Sequence, residues 1–141
     1  MAATFNKFNY WAEICLKGVN LASDTMNIML TNTAPVATNN TYLLNGDLST
    51  GNGYTLSGAS LTLTTNSQTG GTYTMAANQV TWTASGGTIG PFRYVILYDL
   101  TTSGGPNCAW WDYGSSITLQ IGETFTVQFN SANPGNVFQL S

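Results

Sequence analysis

The residues that could do chemistry in this 141-residue chain are few, and their types exclude most catalytic mechanisms. The chain has no histidine, which removes Ser-His-Asp and Cys-His catalysis, His-ligated zinc and the commonest general base. Its two cysteines, Cys15 and Cys108, are too few for a zinc site made of thiolates. We therefore expect two buried free thiols that behave as small hydrophobic side chains, and the sequence leaves open whether they lie close together.

Carboxylates are the remaining candidates for acid–base or metal chemistry. A glycosidase needs two carboxyl groups held several ångströms apart across a cleft. Asp99 and Asp112 would be neighbours if their strands pair, but each follows aromatic residues at a strand end, where a turn-capping Asp is common. Loop oxygens around Asp99 or Asp47 could bind calcium, although neither loop has the spacing of an EF-hand. We expect no catalytic residue, no cofactor and no metal site.

Two glycine-rich stretches, TASGGTIG and TTSGGPN, invite comparison with phosphate-binding loops. A phosphate loop needs a following helix whose N-terminus faces the anion, and usually a lysine. Strand patterns follow both stretches and neither contains a lysine. These glycines are therefore predicted to form turns.

Aromatic residues are the stronger candidates for a binding surface. The stretch CAWWDY should place Trp110 and Trp111 on opposite faces of a sheet, because side chains alternate along a strand. One ring is then expected in the core. Three interpretations remain open for the other ring. It lies at a sheet edge, it anchors a protein interface, where Trp is enriched, or it forms a platform on which a sugar ring stacks. The predicted interface residues are Phe5, Phe8, Trp11, Trp110, Trp111 and Tyr113.

The composition favours a neutral, sheet-rich protein. Charged residues make up only 6% of the chain, whereas about 25% is usual. Thr and Asn are abundant, at 22 and 15 residues, and they suit strands and turns. The only basic residues are Lys7, Lys17 and Arg93, which excludes nucleic acid and anionic membranes as main partners. No membrane span or signal peptide is evident, so we expect synthesis in a reducing cytoplasm.

One helix and about eight short strands must position these residues. Thr4 is a candidate N-cap and Gly18 suits a helix end, so a helix is predicted over about residues 5–17. Alternating apolar residues then predict a β core over about residues 25–141. The result is one domain, residues 1–141, with an all-β fold: a sandwich or barrel of mainly antiparallel strands with one N-terminal helix.

The stretch Gln79–Asp99 is predicted to be the central hairpin of this core. Val80, Trp82 and Ala84 alternate with threonines, a turn follows, and an apolar run begins at Phe92. That run has apolar residues on both faces, so packing is expected on both sides of its strand. Arg93, at the start of the run, is expected to pair with a carboxylate at the strand end; the alternative is a single anchor of a protein interface.

Several blocks of the chain resemble a widespread group of small virion proteins of tailed double-stranded DNA bacteriophages. These blocks follow the aromatic N-terminal segment and read SDTMNIML, GYTLSGASLTL, VTWTASGGTIGPFRYVILYD and WWDYGSSITLQIGETFTVQF. The likeness covers most of the chain, and TASGGTIGPFRYVILYD and WWDYGSS are its most specific parts. Members are usually described as minor structural proteins, some as capsid decoration (cement) proteins and some as tail-associated.

The resemblance implies a non-enzymatic virion structural protein that is made in the host cytoplasm. Among virion locations it favours the head surface. A capsid decoration protein would bind the major capsid protein and further copies of itself, for example as a trimer at a local symmetry axis. The alternative is a tail- or fibre-tip-associated protein that binds a receptor or a carbohydrate. Both interpretations depend on contacts with protein or sugar, and neither needs nucleic acid, membrane or a cofactor.

Overall fold

Alternating threonine and apolar residues build ten strands and one α-helix in the computed structural model, which describes residues 3–141 apart from the side chains of residues 43 and 44. The predicted all-β class is confirmed. The strands are β1 (Asn6–Lys7), β2 (Met26–Thr31), β3 (Ala59–Ser60), β4 (Leu63–Thr69), β5 (Thr72–Ala77), β6 (Val80–Thr83), β7 (Ile89–Asp99), β8 (Asn107–Leu119), β9 (Thr124–Val127) and β10 (Gly135–Leu140). The helix α1 is Trp11–Lys17, and two 3-10 helices are Tyr42–Asn45 and Phe129–Ser131.

The strands form three antiparallel groups that surround a main core. A five-stranded sheet has the order β1-β8-β7-β2-β3, a three-stranded sheet has the order β10-β5-β4, and β6 pairs with β9 as a separate ribbon. The main core lies between the five-stranded sheet and the other two groups. Its buried side chains include Ile28 and Leu97 from the large sheet, Met75 from the small sheet and Trp82 from the ribbon.

The opposite face of the five-stranded sheet is also covered. Phe8, Met29, Ile96 and Tyr98 are completely buried there, with Tyr42 and Trp110 packed against them. We call this cluster the closed face. Because Leu97 and Ile96 point to opposite sides of β7, the expected packing on both sides of this strand is confirmed.

The N-terminal helix is shorter than predicted, because α1 begins at Trp11 and residues 6–7 form β1 instead. Asn6 pairs with Trp110 and Lys7 with Ala109, and the Phe8 N–H donates a hydrogen bond of 3.0 Å to the Cys108 carbonyl. The backbone of this segment is thus satisfied by the edge of β8 rather than by a helical turn. This extended conformation also buries the Phe8 ring on the closed face, which the helical periodicity could not anticipate.

The predicted hairpin over Gln79–Asp99 is wrong in its pairing. β6 pairs with β9, with Trp82 opposite Phe125, whereas β7 lies between β2 and β8. The connection after β6 includes Gly86, whose φ of +80° few other residues adopt, and it carries the chain from the ribbon to the large sheet. Strand β7 is central, as expected, but its hairpin partner is β8.

A bulge changes the faces assigned along β7. Strict alternation would place Phe92 on the same face as Ile96 and Tyr98, but its ring is buried in the main core with Val95. The register between β7 and β8 shifts on both sides of Phe92, so the strict alternation of side chains along β7 does not continue through this position.

Candidate functional site: an aromatic groove

An open groove of about 740 Å³ lies where β8 meets the corner formed by β9, the second 3-10 helix and β10. Residues of the N-terminal segment form part of its wall. We call it the aromatic groove, because aromatic rings are much more frequent in its lining than the 12% found in the whole chain. These rings belong to Phe5, Trp111, Tyr113, Phe125, Phe129 and Phe138.

The alternation of side chains along β8 decides which tryptophan reaches the groove. Trp110 points to the closed face, where its ring lies 4.5 Å from that of Phe8. Trp111 points the other way and packs edge-to-face against Phe5 and Phe129, with ring centroids 5.5 and 5.7 Å apart. Both tryptophans are half-buried. The predicted arrangement on opposite faces is confirmed.

A wide bulge in β8 brings Tyr113 to the groove. Asp112 pairs with Tyr94 of β7 and Ile117 pairs with Phe92, so residues 113–116 of β8 lie opposite Arg93 alone. All four bulged residues are exposed. The Tyr113 ring contacts Phe125 edge-to-face at 5.7 Å and remains 51% exposed.

The carboxylate of Asp112 holds this bulge in place. It accepts two hydrogen bonds from Arg93, from Nε at 2.7 Å and from Nη2 at 2.8 Å, and a third of 2.8 Å from the Gly114 N–H. These contacts, Arg93 first, lower the pKa of Asp112. Gly114 has a φ of +100°, so the bulge requires glycine there for conformational reasons alone. The expected pairing of Arg93 with a carboxylate is confirmed.

The opposite wall of the groove is a tight corner between the second 3-10 helix and β10. Asn130 and Ser131 both have left-handed backbones, with φ of 49° and 52°. Gly135 packs so closely on the Phe129 carbonyl that a side chain there would overlap it. This corner carries exposed polar residues beside the aromatic rings, among them Asn130, Asn136 and Gln139.

The structure separates the predicted interface residues into two groups. Phe5, Trp111 and Tyr113 come together in the groove. Phe8 and Trp11 are 0% and 5% exposed, so their rings are enclosed within the chain and offer no surface to a partner in this conformation. Trp110 lies with Phe8 on the closed face.

Three rings of the groove, Phe125, Phe129 and Phe138, were not among the predicted interface residues. The alternation of Phe125, Val127 and Phe129 with polar residues is typical of a half-buried strand, although β9 ends at Val127. It carried no signal that this strand ends beside β8, because that contact depends on the non-local pairing of β6 with β9.

The carboxylates considered for catalysis do not pair with one another. Asp99 is buried and accepts hydrogen bonds from the Thr101 and Thr102 N–H groups, at 2.8 and 3.1 Å, as a turn-capping residue does. Asp112, which binds Arg93, lies opposite Tyr94, five positions along β7 from Asp99. At about 3.4 Å per residue, the two carboxylates are much too far apart for a glycosidase pair.

Asp47 and the two cysteines also have local structural explanations. Asp47 accepts a hydrogen bond of 2.5 Å from the Tyr54 hydroxyl and another from the Ser57 N–H, which ties together the loop before β3. Burial raises the pKa of Asp47 despite these bonds. Cys15 and Cys108 are both free, but only Cys108 is buried as expected, whereas Cys15 is half-buried; burial raises the pKa of both thiols. Among residues 3–141, no group of three or more Cys, Asp or Glu could hold a metal ion.

The described helices are all too short or too polar to cross a bilayer. No family model matches the chain, and neither a curated protein nor a solved structure shows significant similarity to it.

Proposed function

We propose that this chain is a non-enzymatic structural protein of a tailed-bacteriophage virion, which binds the outer surface of the head and stabilises it. The sequence blocks that resemble small virion proteins support this proposal. They form β3, β6, β7 and β9 and most of β2 and β8, which include the central strands of the five-stranded sheet. The proposed partners are the major capsid protein and neighbouring copies of this chain.

One geometric observation carries the choice of contact surface. Three segments at the end of the molecule where β7 ends and β8 begins each carry an exposed apolar side chain. Leu16 of α1 is 85% exposed, Val36 is 55% exposed and Leu100 is 42% exposed. We call this surface the helix end. With Phe8 and Trp11 enclosed, Leu16 is the large apolar residue that α1 offers to a partner.

Hydrogen bonds hold the segments of the helix end together. The Thr102 hydroxyl lies 3.5 Å from the Gly18 carbonyl and joins the loop after β7 to the end of α1. The Asn9 N–H donates to the Ala37 carbonyl at 2.9 Å and joins the start of α1 to the loop that carries Val36. A surface fixed in this way loses little conformational freedom when it binds, which favours affinity.

Head stabilisation by such a protein needs no catalysis. Each copy contributes a modest interface free energy, and attachment to two adjacent subunits makes the second contact intramolecular and therefore stronger. Repetition over the lattice would then oppose the outward pressure of packaged DNA. The low charge of the chain suits close packing of copies, since few like charges repel one another.

Purified protein added to expanded empty heads tests this proposal. We expect stoichiometric binding and a higher temperature of head disruption. The substitution Leu16→Gln keeps a good helix former and should lower the affinity for heads about tenfold, which corresponds to about 1.4 kcal/mol. Ile121→Gln is the matched control, because Ile121 is 68% exposed and follows the other end of β8. Wild-type protein that does not bind such heads would overturn the proposal.

The second candidate is a tail- or fibre-tip-associated protein that binds a receptor, and the exposed rings of the aromatic groove favour it. Copy number in the virion separates the two candidates. Hundreds of copies fit a head protein, whereas a handful fit a tip.

A further inference from the structure

We propose that the aromatic groove binds an uncharged oligosaccharide by ring stacking and amide hydrogen bonds. The inference goes beyond attachment to a head, because it concerns a surface distinct from the helix end and a different class of ligand. The groove volume of about 740 Å³ lies within the usual range of small-ligand sites, about 300–1,000 Å³. This size suits a short oligosaccharide.

Ring faces are available for a sugar to stack on. A pyranose presents C–H groups on its apolar face, and an aromatic ring carries partial negative charge on its own face. The pairs Phe5–Trp111 and Tyr113–Phe125 meet at 72° and 75°. Each edge-to-face contact covers at most one ring face. Trp111 and Phe125 also contact Phe129 and Phe92, so the ring surface left for a ligand belongs chiefly to Tyr113 and Phe5. Tyr113 and Phe5 are 51% and 38% exposed, so part of this ring surface faces solvent.

Amide side chains stand beside the rings. A side-chain amide offers both a donor and an acceptor, which matches the hydroxyl groups of a sugar. Asn130 and Asn136 are exposed, and neither side chain makes a hydrogen bond within the described part of the chain. The left-handed backbones of Asn130 and Ser131 fix this wall in an uncommon conformation, of a kind that clusters at ligand sites.

The charge of the groove selects against ionic ligands. Its described lining contains no acidic or basic side chain. Arg93 and Asp112, beside the groove, bind each other through two hydrogen bonds and so neutralise one another. An anionic sugar would lose hydration on entry without gaining a cation as partner. The ligand is therefore a neutral saccharide.

Arg93 and Asp112 act as positioning residues in this site. Through the Gly114 N–H, Asp112 fixes the bulge that directs Tyr113 against Phe125.

The test measures binding of the purified chain to neutral oligosaccharides of glucose, galactose and N-acetylglucosamine, with sialylated oligosaccharides as the charged comparison. We expect a neutral oligosaccharide to bind and to shift the NMR signals of the groove residues. Trp111→Ala should weaken binding about tenfold or more, and Tyr113→Ala about tenfold, as expected for the loss of one stacking contact. Tyr113→Ala keeps the test decisive if the more buried Trp111 variant fails to fold. Ile121→Ala, an exposed apolar residue outside the groove, should bind like the wild type.

Three results would overturn the inference: no neutral oligosaccharide bound by the wild type at millimolar concentration, equal binding by the wild type and Tyr113→Ala, or a preference for the sialylated ligands. Displacement of the sugar by a proline-rich peptide of higher affinity would also count against it, since such peptides stack on aromatic grooves too. Because this assay contains no heads, its failure leaves head binding through Leu16 unaffected, and the head assay can fail without affecting this one.

Discussion

The closed face and the aromatic groove lie on the two sides of the same strand, and each contains one of the adjacent tryptophans of β8. Trp110 is covered by Phe8 and joins a cluster whose central side chains are completely buried. Trp111 has the same side-chain type and similar burial, yet it lines an open groove. The difference arises from the neighbouring elements. The N-terminal segment covers one side of β8, whereas the bulge at residues 113–116 and the corner before β10 leave the other side open.

This comparison shows that residue type alone does not identify a binding surface. Phe5 and Phe8 are three positions apart, but the first is 38% exposed in the groove and the second is enclosed. Substitutions on the closed face should therefore change stability first, and substitutions around the groove should change binding first.

The largest expected effect is on the closed face. Phe8→Ala should lower the free energy of unfolding by about 3–5 kcal/mol, because it leaves a cavity against Trp110 and Tyr98. Phe5→Ala, the matched change at the groove, should cost only about 1 kcal/mol. Urea denaturation of the two variants measures the contrast. Equal losses of unfolding free energy would mean that Phe8 on the closed face is no more enclosed than Phe5 in the groove.

An intermediate effect is expected at the bulge. Gly114→Ala should destabilise the fold by about 1–3 kcal/mol, since a φ of +100° strains any residue with a Cβ. Gly71→Ala is a close control, because Gly71 has a φ of +86° and similarly open surroundings, and it lies in the turn between β4 and β5. Both variants should lose similar stability, as measured by denaturation.

Only Gly114→Ala should also change the groove, because it redirects Tyr113. Aromatic NMR signals of Phe125, which contacts Tyr113, should shift in this variant and remain in place in Gly71→Ala. An unchanged Phe125 signal in Gly114→Ala would break the link between the bulge and the groove.

The smallest expected effect concerns acid stability. Arg93 lowers the pKa of Asp112 in the folded chain below its unfolded value of about 3.9. The ion pair therefore stabilises the fold above about pH 4, and this contribution is lost as the pH falls through the lower folded pKa. Asp112→Asn and Arg93→Gln should each show a smaller decrease in melting temperature between about pH 4 and pH 2 than the wild type.

The two substitutions in this pair also control for each other. The raised pKa of Asp47 contributes with the opposite sign, but it is the same in all three proteins and cancels in the comparison. If the acid unfolding curves of the wild type and both variants are parallel, the ion pair does not contribute to the pH dependence of stability.

Local patterns predicted much of this architecture from the sequence. Alternation along β2, β6 and β9 has a period of two and survives in any sheet arrangement, so the all-β class and the opposite orientations of Trp110 and Trp111 could be inferred. The carboxylate partner of Arg93 was foreseen for a similar reason, because a lone charge beside a buried strand needs a counterion.

The same local patterns could not predict contacts between residues that are far apart in the sequence. Phe5, Phe8 and Trp11 fit a helical face, but the open edge of β8 draws residues 6–7 into a strand. The pairing of β6 with β9 and the bulge of residues 113–116 depend on partners far along the chain. The groove arises where these features meet, and for that reason only three of its six aromatic residues were predicted.

We propose that this chain binds the head lattice through the helix end and leaves the aromatic groove free. A reconstruction of expanded phage heads saturated with the purified protein tests this directly. We expect regular density on the outer head surface. Leu16 and Leu100 should lie against the capsid, and Trp111 and Tyr113 should face solvent. Heads without added density, or density with the groove buried against the capsid, would contradict it.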